Sequence, residues 1–183
     1  MRLISAGFVT VQVIGFALIL PVRMIAAPDP EPTLVLTSSA FENGGTVPLR
    51  YTCSGHNTSP ALEWTGVPDR TRSLALILDD PDAPMGTFVH WVVYNLSPAA
   101  KGLPEGVSAS ATVADGEEGV NGDSSSGYTG PCPPPGKPHH YHFRLYALDQ
   151  KLELKSGAAA RQVEAAIKGH VVGSAELVGV FKR

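Results

Sequence analysis

Hydrophobic and polar residues alternate in short stretches along most of this chain, and those stretches are bounded by glycine and proline. Leu34-Val35-Leu36, Val47 to Thr52 and Ala61-Leu62-Glu63-Trp64 each read as short strands between turn residues. Ser73-Leu74-Ala75-Leu76-Ile77-Leu78 is an almost unbroken apolar run, the pattern of a strand buried on both faces. It runs directly into Asp79-Asp80-Pro81-Asp82-Ala83-Pro84, an acidic turn. Thr87 to Leu96 resumes as a strand, with His90 sharing a face with Val92 and Tyr94, and Trp91 sharing the other with Val89 and Val93. A short turn between these two strands brings His90 and the aspartates to one end of a sheet.

Residues 97–126 carry breakers at Pro98, Gly102, Pro104 and Gly106, then a polar, glycine-rich tract, and read as a long surface connection. Gly127 to Pro138 follows, with Pro131, Pro133 and Pro134 unable to donate to any sheet. The strand after it is rich in rings. Alternation places His139 and Tyr141 on one face and His140 and His142 on the other. Ser156 to Gly169 is alanine-rich, has apolar residues at Ala159, Val163, Ala166 and Ile167, and predicts a helix that stops at its terminal glycine. His170 to Lys182 predicts a final strand.

The first residues follow another pattern. No charged side chain occurs between Leu3 and Val22, and Arg2 precedes them. Residues 1–27 therefore read as a signal peptide or an N-terminal membrane anchor. Residues 28–33 are a proline-rich spacer, extended and stiff. Residues 34–183 form one domain. Either reading of the leader places that domain outside the cytoplasm, periplasmic or extracellular, or held at the membrane by residues 3–22.

Composition sharpens this picture in two ways. With 19 glycines and 16 prolines in 183 residues, turns and short strands are favoured over long helices. Of the 14 basic residues, Arg2 and Arg23 belong to the leader; the remaining 12 face 17 acidic residues, a net of −5. That balance, with no basic run, argues against a nucleic-acid partner and against broad adhesion to anionic lipid. The two cysteines, Cys53 and Cys132, suit a single disulfide in an exported protein, or two buried thiols.

Three ordered motifs carry the candidate chemistry: Asp80-Pro81-Asp82-Ala83-Pro84, then His90-Trp91, then Gly130-Pro131-Cys132-Pro133-Pro134 leading to His139-His140-Tyr141. Together they resemble the phosphatidylethanolamine-binding protein family, and more closely its bacterial branch of Raf-kinase-inhibitor-like proteins. The resemblance spans about Leu34 to Lys182. It implies a mainly β fold of two antiparallel sheets with Greek-key connections and a few peripheral helices. It also implies a small anion pocket at one end of the fold. Asp80 and Asp82 match the paired pocket aspartates, His90 the histidine of the following strand, and His139 and Tyr141 the rings of the later pocket strand. Gly130 and Pro131 match a loop that lends backbone to the anion and that contains a cis-proline in the family.

The resemblance therefore implies a non-catalytic, exported protein that binds a small phosphorylated ligand or a phospholipid headgroup, without a cofactor. The expected chemistry has His90 and His139 as donors, the Tyr141 hydroxyl and Gly130 amide as neutral donors, and binding that strengthens as pH falls. Modulation of a protein partner rests on the family name; a homodimer stands beside it as a further expectation. Two rivals compete with the binding role. One is hydrolysis of a small ester by the same Asp/His groups, although no nucleophile motif is present. The other is a metal site from His139, His140 and His142, which alternation splits between two faces.

Overall fold

The computed structural model describes residues 33–107 and 113–183. The leader and most of the spacer thus lie outside the described residues. Among those described, nine strands and one α-helix follow in order. They are β1 (Val35–Thr37), β2 (Gly45–Thr46), β3 (Leu62–Thr65), β4 (Ser73–Asp80), β5 (Phe88–Leu96), β6 (Gly102–Leu103), β7 (Glu117–Glu118), β8 (His139–Leu148), α1 (Ala160–Ile167) and β9 (Val171–Phe181). A single 3₁₀ turn covers Leu49–Tyr51.

Two sheets result. The smaller runs β1-β3-β6 and the larger β2-β9-β8-β4-β5-β7. Pairing is antiparallel throughout except between β2 and β9, which are parallel. The long β8–β9 pairing, from His139↔Phe181 to Leu148↔Val171, and the β4–β8 pairing form the centre of the large sheet.

Strand β4 shows why its sequence is apolar on both sides. Leu74, Leu76 and Leu78 enter one core, between the sheets, with Leu62, Trp64, Trp91, Tyr141 and Phe143. Ala75 and Ile77 enter a second core, beneath α1, with Val92, Tyr94, Val163 and Ile167. A central strand covered by a sheet on one face and a helix on the other has no solvent side. Its apolar run continues into two buried carboxylates, Asp79 and Asp80.

Three elements differ from the sequence reading. Val47 to Thr52 is not a strand. Pro48 has no N–H to extend the pairing that Val47 N–H makes with Val180 O, and the chain turns into the 3₁₀ segment instead, through Tyr51 N–H to Pro48 O. The helix is shorter than Ser156 to Gly169. Val120 pairs with Ala159 and its N–H donates to Ala158 O, so tertiary pairing holds Ala158 and Ala159 extended. Finally, the connection after β5 is more than a surface loop. It buries Leu103, Glu118 and Asn121, and Glu118 accepts a hydrogen bond from the Trp91 indole at 3.1 Å.

The ends of the large sheet are distinct. At one, the C-terminal end of β4, the start of β5, the start of β8 and the end of β9 meet, through Asp80↔Phe88 and His139↔Phe181. At the other, Pro68 packs on Gly173 beside Ala147. There, just past β3, Gly66 has φ +69 and Thr33 O occupies the place a side chain would take. The described chain therefore enters the domain at the end away from Asp80 and His139. Its last residue, Arg183, reaches the other end and contacts Cys132 Sγ.

Candidate functional site

Four segments converge at the Asp80 end, and each is held by a hydrogen bond the backbone or a buried side chain supplies. The first is the β4–β5 turn. Asp80 Oδ1 accepts the Asp82 N–H at 2.9 Å, closing the acidic turn on itself. The second is the start of β8. The His139 ring donates Nδ1–H to Asp80 Oδ2 at 2.7 Å, and both side chains are buried.

The third is a bulge in β5. Leu78 pairs with Trp91 and Asp79 with Val89, so His90 is the extra residue. A bulge re-aims a side chain without breaking the sheet. Simple alternation puts His90 with Val92 and Tyr94; that expectation fails here. The His90 ring meets Tyr141 edge-on at 5.2 Å, in the between-sheet layer that also holds Trp91. Phe88 meets it from the other side at 4.8 Å. His90 Nδ1–H donates to Thr129 O at 2.7 Å, while Thr129 N–H donates back to His90 O at 2.9 Å.

The fourth segment is the proline-rich loop, pinned to the 3₁₀ turn region at several points. Tyr128 OH donates to Tyr51 O at 2.7 Å, Gly130 N–H to Asn57 Oδ1 at 2.7 Å, and Cys53 N–H to Pro131 O at 3.1 Å. Cys53 and Cys132 are joined as a disulfide with Cα atoms 5.4 Å apart. A side chain at Gly130 would lie 2.4 Å from Tyr51 O, so glycine there is a requirement of packing. Every peptide bond among the described residues is trans, so the cis-proline that the resemblance implies for this loop is not present.

These segments enclose a cleft of about 450 Å³. Of the residues singled out from sequence, Asp80, His90 and His139 line it. The remaining four do not. Asp82 turns to the opposite face of β8, where its carboxylate accepts from His140 N–H and the His140 ring. Those hydrogen bonds hold its carboxyl below the usual range. Gly130 and Pro131 lie behind the wall, and the Gly130 amide, expected to meet an anion, is committed to Asn57. Tyr141 forms the layer beneath; its hydroxyl is buried without a hydrogen-bond partner of good geometry. Burial, together with the Asp80 carboxylate beside it, pushes the phenol far above its ordinary value.

The cleft also holds residues that strand and motif patterns did not single out: Asn57, Phe88, Asp123 and Thr129. Asn57 adopts φ +54, a region asparagine tolerates better than most residues. Asp123 is delivered by Asn121, whose buried side chain accepts the Asp123 and Ser125 N–H groups and donates to Gly127 O and Thr129 Oγ1. Asn121-Gly122-Asp123 is a visible turn signal, but nothing in it says which surface the turn will meet.

The electrostatics depart from the expected pocket of histidine donors. Among the described residues no lysine or arginine lines the cleft, whereas Asp80 and Asp123 do. Burial pushes the His90 pKa down, against the raising effect of its bond to Thr129. His90 is therefore neutral at pH 7. With Nδ1–H given to Thr129, its Nε2 carries a lone pair and accepts rather than donates. The Asp80 bond fixes the same Nδ1–H arrangement in His139. The other ring pairs lie elsewhere: His142 with Glu176 and His170 with Asp149, both on the surface.

Comparison with known proteins places the chain in a family. The family model for phosphatidylethanolamine-binding protein matches residues 37–182. A UPF0098 protein of Methanothermobacter thermautotrophicus is 49% identical over 149 residues, covering 81% of this chain and 98% of its own. A Mycobacterium tuberculosis protein named "Putative lipoprotein LppC" is 40% identical over 157 residues, covering 85% of this chain and 75% of its own. Among solved structures, Escherichia coli YbcL, described as a member of the mammalian PEBP family, superposes with a TM-score of 0.77 at 31% identity, covering 84% of this chain and 99% of that one. The chain belongs to the phosphatidylethanolamine-binding protein family. Among the described residues no helix is long and apolar enough to cross a membrane.

Proposed function

We propose that the cleft binds a small phosphate ester, without turnover, in a protein exported from the cytoplasm. One observation carries this reading. Two imidazoles, each with Nδ1–H engaged inside the fold, share a small cleft with a buried carboxylate and neutral donors. A monoanionic phosphate fits that set. Its remaining P–OH donates to an imidazole Nε2, and its charged oxygens accept from the Thr129 hydroxyl and the Asn57 amide. A full dianion has no cation to meet. An amine-bearing ester, such as phosphoethanolamine, gains further from Asp123 at the rim.

Binding rather than hydrolysis is favoured because, among the described residues, no serine or free thiol lines the cleft: Cys53 and Cys132 are bonded to each other, and the Thr129 hydroxyl is held by the Asn121 amide. Export is supported by the uncharged leader and by the similarity to a protein named as a lipoprotein. Modulation of a protein partner, and self-association, remain part of the proposal on family grounds alone.

Calorimetry with phosphoethanolamine tests the reading. His90→Ala weakens binding by about tenfold, the loss expected for one hydrogen bond, and Asp80→Asn weakens it by releasing the His139 ring that its carboxylate orients. The pH dependence has a definite sign. The His90 pKa is depressed, so the ring gains its proton only on the acid side of the ordinary histidine value, about 6.5. The ring therefore stays an acceptor at Nε2 while the ester, with a second ionisation near about 6, becomes the monoanion whose P–OH it accepts. Affinity rises as pH falls from about 7.5 to 5.5, by up to about tenfold per unit for one linked proton. Equal affinities at both ends of that range, unchanged in both variants, would refute the proposal.

A further inference from the structure

The Cys53–Cys132 bridge is not packed away inside the fold. Both cysteines are exposed, and both belong to the wall of the His90 cleft. The two sulfurs have unequal surroundings. Arg183 Nη1–H donates to Cys132 Sγ at 3.5 Å, and among the described residues no hydrogen bond is made to Cys53 Sγ. A guanidinium beside a sulfur favours its thiolate, and the sulfur better able to carry charge is the better leaving group. The backbone around the bridge is fastened without it. Cys53 N–H donates to Pro131 O, and Gly130 N–H donates to Asn57 Oδ1. Opening the S–S bond therefore leaves the two cysteines side by side.

We propose that this disulfide is a site of thiol exchange, at which a small monothiol adds to Cys53 and caps the cleft. The incoming thiol loses its proton to solvent, and its thiolate attacks Cys53 Sγ along the S–S axis. One S–S bond forms, to Cys53, and one breaks. The electron pair of the broken bond leaves on Cys132 Sγ, beside the Arg183 guanidinium. The incoming sulfur is oxidised and Cys132 is reduced, so no other oxidant or reductant is needed. The adduct hangs from a wall residue of a cleft of about 450 Å³ and fills part of its opening. Return is built in: Cys132, kept in place by the hydrogen bonds of its loop, attacks Cys53 Sγ and expels the monothiol. The site works whether or not a phosphate ester is the cleft's ligand.

The experiment treats the whole protein with glutathione while iodoacetamide traps whichever cysteine is released, and maps the two mixed products by peptide mass. Glutathione on Cys53 with alkylated Cys132 is expected to exceed the reverse product by about threefold, the effect on leaving-group rate of one nearby cation. Arg183→Gln brings that ratio to about one, and Arg183→Lys, which keeps the charge, restores it. Loss of a merely structural contact would not be rescued in this way. For the cap, Cys132→Ser is loaded with glutathione at Cys53, where no thiol remains to expel it; Cys132→Ala replaces it if the serine variant fails to melt cooperatively. The NMR signals of Phe88 and His90, which share the cleft with Cys53, are expected to shift on loading. Equal amounts of the two products, a ratio indifferent to Arg183→Gln, or no mixed product at all overturns the exchange site. Unshifted Phe88 and His90 signals overturn the cap.

Discussion

Reduction of the Cys53–Cys132 disulfide lowers the free energy of unfolding by about 4 kcal/mol. The cross-link closes a loop across a sequence separation of 79, and loop-closure entropy in the denatured chain gives a figure of this size. The folded chain has little to lose at the same time. The proline-rich loop keeps its hydrogen bonds from Tyr128 to Tyr51, from Gly130 to Asn57 and from Cys53 to Pro131. The effect therefore falls on the denatured state, and the reduced protein keeps its fold and its cleft. Urea unfolding with and without reductant, followed through buried Trp64 and Trp91, measures it. Cys53→Ser with Cys132→Ser reproduces the shift. A loss below about 1 kcal/mol would mean that the bridge does not restrain the unfolded chain.

The second large effect is expected at Arg144. This guanidinium donates to the Asp79 carboxylate and, through Nε, to Glu176 at 2.9 Å. Asp79 is buried, and its Oδ1 has no partner. Burial already pushes its pKa up, and Arg144 is the strongest influence opposing that shift. Arg144→Met keeps the stem and removes the charge. At pH 7 it costs about 3 kcal/mol, the loss typical when one member of a buried pair is deleted. The sign with pH follows from the raised folded-state pKa. The penalty is fully present above that pKa and vanishes as pH falls to the unfolded value, about 3.9, because a proton then replaces the guanidinium. The variant is accordingly least stable at high pH and approaches the parent near pH 4. Adding Asp79→Asn recovers stability at pH 7 by removing the unpaired charge. A small loss that does not vary with pH would show that Arg144 does not neutralise Asp79.

Where patterns alone were enough, the fold was readable. The both-face burial of Ser73 to Leu78, the alternation through His139 to Leu148 and the last strand depend on local order, and the structure bears them out. Most of the errors involve a partner distant in sequence, and Pro48 is the local exception. The helix lost its first turn to Val120, the strand after Val47 ended at Pro48 beside β9, and β2 joined β9 in parallel. His90 is the sharpest example. Its face is decided by one inserted residue in the register between β4 and β5, and that register is not written in either strand alone.

The candidate site divides the same way. Asp80, His90 and His139 were reachable because the three motifs matched a family pattern in order. Asn57, Phe88, Asp123 and Thr129 sit in loops or at a strand end, with no periodicity to mark them. Gly130 and Asp82 show the limit of transferring roles by position. Both are where the motif expects them, yet their hydrogen-bonding capacity is directed to Asn57 and His140.

Because Thr33 and Arg183 sit at opposite ends of the large sheet, the two termini of the domain are unequal as attachment points. A purification tag or sensor-chip linkage placed ahead of Thr33 presents the cleft mouth to bulk solution. The same addition after Arg183 crowds the wall that Cys132 forms. Immobilised binding assays on this domain should be oriented through its beginning.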